Sequence, residues 1–228
     1  GALTTDANNN TAIGSFAMSS ANNADAIDNV AIGAYAGTGG SGALKRSIAI
    51  GKNALNSTAD NDNTGAVAIG YNALTGLTTG AQNLAIGYEA GRTLSTGVRN
   101  TFLGYEAGED TTGGSDNTYL GNRAGGDHTG TENTFVGSNT GRGVGGGSSN
   151  GSKNTGVGKD ALTALTSGVG NTSLGFEAGE DVTTGGYNIA IGYRAAYRLT
   201  TGGSNLAIGM TALSAANMSG GSNIALLD

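Results

Sequence analysis

Residues 83–108 read NLAIGYEAGRTLSTGVRNTFLGYEAG, and the second half nearly repeats the first. The phrase NLAIGYEAG, Asn83–Gly91, returns 17 residues later as NTFLGYEAG, Asn100–Gly108. Outward from this pair the phrase recurs in both directions. With the motif glycine as position zero, its copies stand at Gly14, Gly33, Gly51, Gly70, Gly87, Gly104, Gly121, Gly137, Gly158, Gly175, Gly192 and Gly209, at spacings of 16 to 21 residues and most often 17. Asn223-Ile224-Ala225-Leu226 opens one more copy, with Leu227 in the glycine slot. Self-similarity at such a period is the signature of stacked repeats, in which each unit contacts only its neighbours.

The columns define the unit. Position −1 is Ile, Leu or Val in every copy from Ile13 to Leu226, and this unbroken apolar column is expected to be the core stripe. Position +3 is Ala in every complete copy but one, where Thr140 stands in. Position −4 is Asn except at Ser47 and Ala66. Stacked Asn amides bond to one another and to turn backbone, so this column reads as structural. Between the columns lie Thr, Gly, Ser and Asp, the residues of turns. Helical periodicity is absent and Gly interrupts each copy. The pattern is a short strand, a glycine bend, a second short piece ending in Ala, and a turn. It predicts an all-β parallel β-solenoid of about 12–13 coils with a ~17-residue period, filling residues 1–228 as a single domain.

Composition agrees with a thin interior. The 228 residues include 44 Gly, no Trp, no Pro and no Cys, and aromatics make up 5%, too few large side chains for a thick core. The formal net charge of −6 excludes a nucleic-acid partner, which needs a basic face to displace phosphate counterions. No apolar run approaches the ~18 residues of a membrane helix. Without cysteine there is neither a disulfide framework nor a thiolate metal site.

Two aromatic patterns bear on partners. Position −3 is mostly Val, Ile or Leu, but it is Thr at Thr101, Thr118 and Thr134, where position −2 changes from Ala to Phe102, Tyr119 and Phe135. Alternate strand residues point to opposite faces, so bulk lost on one face reappears on the other. Both faces are then expected to be covered, one of them by another chain, with Phe102, Tyr119 and Phe135 at the oligomer interface. Tyr71, Tyr88 and Tyr105 share position +1 on three successive copies, and Phe176 and Tyr193 repeat the theme. If exposed, these rings form a platform for sugar rings or a protein partner.

The segments NVAIG, SIAIG, NLAIG and NIAIG resemble the head repeats of trimeric autotransporter adhesins of the YadA type. Tyr71-Asn72-Ala73-Leu74 also resembles the longer NTAIGYxAL repeat of phage tail-fibre proteins. The resemblance extends from Asn10 to Leu226. It implies a left-handed parallel β-roll, three chains around one axis, and a role in attachment at a bacterial or virion surface. This chain differs from the adhesin heads in its longer period.

The residues suggest no active site, no cofactor and no metal centre, and a non-enzymatic protein is expected. His128 is the only histidine and is expected to be a solvated turn residue. The acidic turns at Glu106–Asp110 and Glu177–Asp181 could hold Ca²⁺ through carboxylates. Opposite charges one repeat apart, Glu106 with Arg123, Glu177 with Arg194, Arg92 with Glu109 and Asp181 with Arg198, favour ion pairs instead. Three functions follow: a fibrous attachment module whose partners are its own copies and a surface glycan or protein; an extracellular filament subunit; and, distantly, an ice-binding protein with a Thr column. In the filament reading Gly1, Ala2 and Leu3 of one subunit complete the coil opened by Asn223, Leu226 and Leu227 of its neighbour.

Overall fold

The computed structural model describes residues 9–19, 26–39, 44–57, 63–144, 149–215 and 220–227. The chain divides into two compact units, Gly1–Asp116 and Asn117–Asp228. The first unit contains β1 (Thr11–Ile13), β2 (Val30–Ile32), β3 (Leu44–Lys45), β4 (Ile48–Ile50), β5 (Asn63–Thr64), β6 (Val67–Ile69), β7 (Leu84–Ile86) and β8 (Thr101–Leu103). Six of these strands pair in parallel in the order β1-β2-β4-β6-β7-β8, and β3 pairs with β5. The second unit contains β9 (Thr118–Leu120), β10 (Thr134–Val136), β11 (Thr155–Val157), β12 (Thr172–Leu174), β13 (Ile189–Ile191), β14 (Leu206–Ile208) and β15 (Ile224–Leu226), each paired in parallel with the next. Pairing keeps the sequence columns aligned, as in Leu84↔Thr101, Ala85↔Phe102 and Ile86↔Leu103. The fold is an all-β parallel β-solenoid of about eleven turns, with no helix among the described residues.

The asparagine column is a continuous hydrogen-bond ladder over long stretches. The Oδ1 of Asn171 accepts from the backbone N–H of Asn188 at 3.0 Å and from its Nδ2 at 2.9 Å. The Nδ2 of Asn171 donates to Gly185 O at 2.9 Å, tying the start of the coil to its later turn. Asn83, Asn154, Asn188 and Asn205 repeat this arrangement. These side chains are buried, so each bond satisfies a group that water does not reach. The glycines that accept form a second column, position −7. At Gly97 a methyl carbon would lie 2.1 Å from Gly114 O, so no larger residue fits.

The interior differs from the sequence expectation. The −1 column is not the core: none of its members is buried, and Ile13, Leu174 and Leu226 are 58%, 47% and 65% exposed. Strand alternation turns position −2 inward instead, and Ala31, Ala49, Ala68, Ala85, Ala190 and Ala207 are buried. Position +3 supplies a second buried alanine column. Position +7, within the turn-like segment, supplies the bulk through Leu77, Leu94, Leu165, Val182 and Leu199. Opposed backbones lie so close that the −2 and +3 columns hold only small side chains in most coils.

Phe102, Tyr119 and Phe135 are fully buried inside their own chain, which corrects their assignment to an oligomer interface. Their volume is compensated at position +4, not at −3. A methyl carbon on Gly108 would lie 2.8 Å from the Phe102 ring, on Gly125 2.4 Å from Tyr119, and on Gly141 2.3 Å from Phe135. Three coils with small residues at −2 carry Leu55, Leu74 and Leu162 at +4. In these six coils the same volume is filled in one of two ways.

Replacing Asn171 with Ala strands the Asn188 N–H and Gly185 O in the interior, and unfolding measurements should register a loss of about 2–4 kcal/mol. Ala66 is a natural gap in the ladder that offers Asn83 no side-chain acceptor. Ala66→Asn should close the gap and raise stability by about 1 kcal/mol. A gain at Ala66 without a loss at Asn171 would contradict the ladder account.

Candidate functional site

Outside the core, two surfaces stand out. One is the ribbon formed by positions −1 and −3. In the first unit it includes Val67, Ile69, Leu84, Ile86 and Leu103, and in the second Leu174, Ile189, Ile191, Leu206 and Ile208, all half-buried or exposed. Position −1 is apolar in every coil, while −3 is Thr in several, as at Thr101 and Thr172; a long row of outward apolar side chains is unusual on a soluble surface and marks an interaction site.

The second is aromatic. Tyr71 and Tyr88 stack at 5.2 Å between ring centroids with planes 16° apart, and Tyr88 and Tyr105 stack at 5.2 Å and 9°. These rings are 40%, 44% and 45% exposed. Phe176 and Tyr193 form a shorter stack at 5.4 Å and 7° in the second unit. Lys159 lies over Phe176 and Arg194 over Tyr193, each at 5.3 Å from the centroid. A third stack, Phe16 with Tyr35 at 5.2 Å, sits at position +2 and was not singled out in the sequence because it lies one residue off the tyrosine column. The expected aromatic residues are therefore brought together as ladders. Their faces meet one another, so the open surface is a row of ring edges and hydroxyls, not a flat platform.

The charged columns are partly as expected. Arg92 pairs with Glu109 at 2.7 Å and also with Asp110 and Glu89. Arg194 pairs with Glu177. Asp181 and Arg198 form no ion pair, although the backbone aligns them through Asp181 N to Tyr197 O; Arg198 is exposed and Asp181 half-buried, and a pair with an exposed partner gains little. Glu106 and Arg123 belong to different units. A bidentate pair that the sequence reading missed joins Arg99 to Asp116 at 2.6 and 2.8 Å, and the Arg99 hydrogen bond holds the Asp116 carboxyl below its usual range. Their shared position, −5, would have revealed it. Among the described residues no three His, Cys, Asp or Glu side chains are grouped to hold a metal ion.

No family model, curated protein or solved structure matches this chain. The surfaces therefore carry the functional argument alone. Of the end residues, Gly1, Ala2 and Leu3 lie outside the described residues, while Leu226 and Leu227 are exposed and Asn223 continues the ladder from Asn205.

His128 corrects another expectation. It is buried, not solvated, and occupies the +7 core column. Its Nε2 donates to Gly151 O at 2.8 Å, and its ring meets Phe135 edge-on at 5.4 Å. Burial drives its pKa down to about 4 from 6.5, against the opposing pull of the Gly151 carbonyl. Between these values the unfolded chain takes up a proton that the folded chain refuses. Stability should therefore fall as pH drops from about 6.5 to about 4, by on the order of 3 kcal/mol from this group. His128→Leu, which places at this position the residue that fills it as Leu94 and Leu165 in other coils, should remove that share of the acid sensitivity, as read from the difference between the two unfolding-against-pH curves.

Proposed function

We propose that the chain is a non-enzymatic, fibrous attachment module in which three copies pack through the −1 and −3 ribbons and present their remaining surfaces to a target. The observation that carries this reading is the ribbon itself. Within each unit it holds no polar residue at position −1, although position −1 contributes nothing to the closed core. Solvent exposure of so many Ile, Leu and Val side chains is costly at about 25 cal/mol per Å². Packing against equivalent ribbons of two other copies around a threefold axis relieves that cost and closes the assembly. The resemblance of the repeats to adhesin heads and tail fibres supports the same arrangement and puts the module at a bacterial surface or on a virion. Binding is favoured over turnover because the exposed chemistry is repetitive. Identical side chains at every coil make an extended contact, whereas catalysis needs different groups converging on one point.

Sedimentation equilibrium at micromolar concentration should give three times the chain mass of 22.2 kDa. The double substitution Ile86→Lys, Leu103→Lys should yield monomers that keep the β-type circular dichroism, because both side chains point outward. A wild-type monomer, or a trimer indifferent to these lysines, would overturn the packing.

A further inference from the structure

The tyrosine ladder of the first unit is the other exposed surface with regular geometry. Its spacing is set by backbone: Glu89 N donates to Tyr71 O and Glu106 N to Tyr88 O, both at 2.8 Å. The rings therefore hold their 5.2 Å repeat without a ligand, and binding need not order them. Beside them stand polar groups. Asn72 Nδ2 donates to Glu89 Oε1 at 3.1 Å, and Arg92 is engaged by Glu89, Glu109 and Asp110. Three carboxylates surround that one guanidinium, so the flank repels anions. Among the described residues no cation lies over Tyr71 or Tyr88, unlike Phe176 and Tyr193, whose rings are covered by Lys159 and Arg194.

A polymer that uses all three rings must repeat at the same interval. An extended peptide advances ~3.3 Å per residue and presents a face every two residues, which does not match. Polyproline advances ~3.1 Å and turns every three. Nucleic acid advances ~3.4 Å per nucleotide and is also anionic. An extended β-1,4-linked hexose chain advances by nearly one coil spacing per sugar and offers both C–H faces and hydroxyls. We propose that Tyr71, Tyr88 and Tyr105 bind a neutral β-1,4-linked hexose polymer laid along the coil-stacking direction, one sugar per coil. The proposal rests on the attachment reading, to which it adds the class of target. Tyrosine ring edges and hydroxyls meet the sugars, and Asn72 and Glu89 supply further hydrogen-bond partners.

The test is titration of the full chain with cellohexaose, N-acetylchitohexaose, cellobiose and maltohexaose, followed calorimetrically and by tyrosine emission, which no Trp obscures. At least one β-1,4 hexamer should bind about tenfold more tightly than cellobiose and than the coiled α-1,4 maltohexaose. Tyr88→Ala should weaken binding about tenfold with circular dichroism unchanged, and Tyr193→Ala should leave it intact. Raising the salt concentration should have little effect. Absence of saturation with either β-1,4 hexamer at millimolar concentration, equal binding of maltohexaose, or indifference to Tyr88→Ala would overturn the proposal. So would self-association that Tyr88→Ala abolishes, which would assign the ladder to a second copy. Chain mass reports on the ribbon separately. A trimer that ignores the sugars removes only the ladder proposal, and a monomer that binds them removes only the trimer.

Discussion

Backbone hydrogen bonding from coil to coil is the constraint on which the rest of this structure depends. Parallel pairing in strict register obliges equivalent residues to adopt one conformation, whatever their side chains. Position +2 shows the force of this rule. It has positive φ as Phe16 (58°), Asn72 (54°), Glu89 (53°), Arg194 (54°) and Thr211 (59°) alike. Left-handed backbone costs an ordinary residue roughly 1–2 kcal/mol. The conformation persists where the residue has its N–H bonded to the neighbouring coil, as Asn72 N is to Lys52 O, Glu89 N to Tyr71 O, Arg194 N to Phe176 O and Thr211 N to Tyr193 O. Where the chain runs closest to itself, even a methyl group is excluded, and glycine is required on geometric grounds. Gly87 combines a φ of 144° with a Cβ position only 2.1 Å from Gly104 O.

This rule explains which parts of the fold could be read in the sequence. A column fixed by backbone geometry tolerates few residue types, so glycine at zero, alanine at +3 and asparagine at −4 announced the period and the strands. The direction of the −1 column was harder to read. Ile13 through Leu226 are the bulkiest regular apolar residues, and hydrophobicity alone points them inward. What turns them outward is the narrowness of the coil, which gives the interior of each strand to Ala85 and its equivalents. The leucines at +7 were hidden among turn residues such as Thr78 and Ser95. The −7 glycines were equally regular but looked like ordinary turn punctuation.

The candidate surfaces were legible as columns, not as surfaces. Tyr71, Tyr88 and Tyr105 line up in any alignment of the repeats, but their exposure depends on how the chain leaves the glycine bend. Phe102, Tyr119 and Phe135 line up equally well and are enclosed. Residue type does not separate the two groups. The position relative to the bend does, since −2 faces the interior and +1 lies beyond the glycine. His128 follows the same logic: its column, not its polarity, decides that it is buried and uncharged.

The exchange of volume between −2 and +4 bears on a problem that all regular repeats share. The ladder, the alanines and the strand pairing are nearly the same in each coil, so a chain threaded one coil out of phase would keep most of its hydrogen bonds. Such a state lies close in energy to the native one unless something marks the phase. The Phe102 ring serves as that mark. A methyl carbon on Gly91 would lie 2.8 Å from both the Leu74 side chain and the Phe102 ring, so glycine there leaves room for the leucine of the coil before it and the ring of the coil after it. Shifted one coil towards the N-terminus, the ring would meet Leu74 where it now meets Gly91. The large side chains thus act as keys cut into an otherwise uniform stack, and they give this repetitive chain one correct threading.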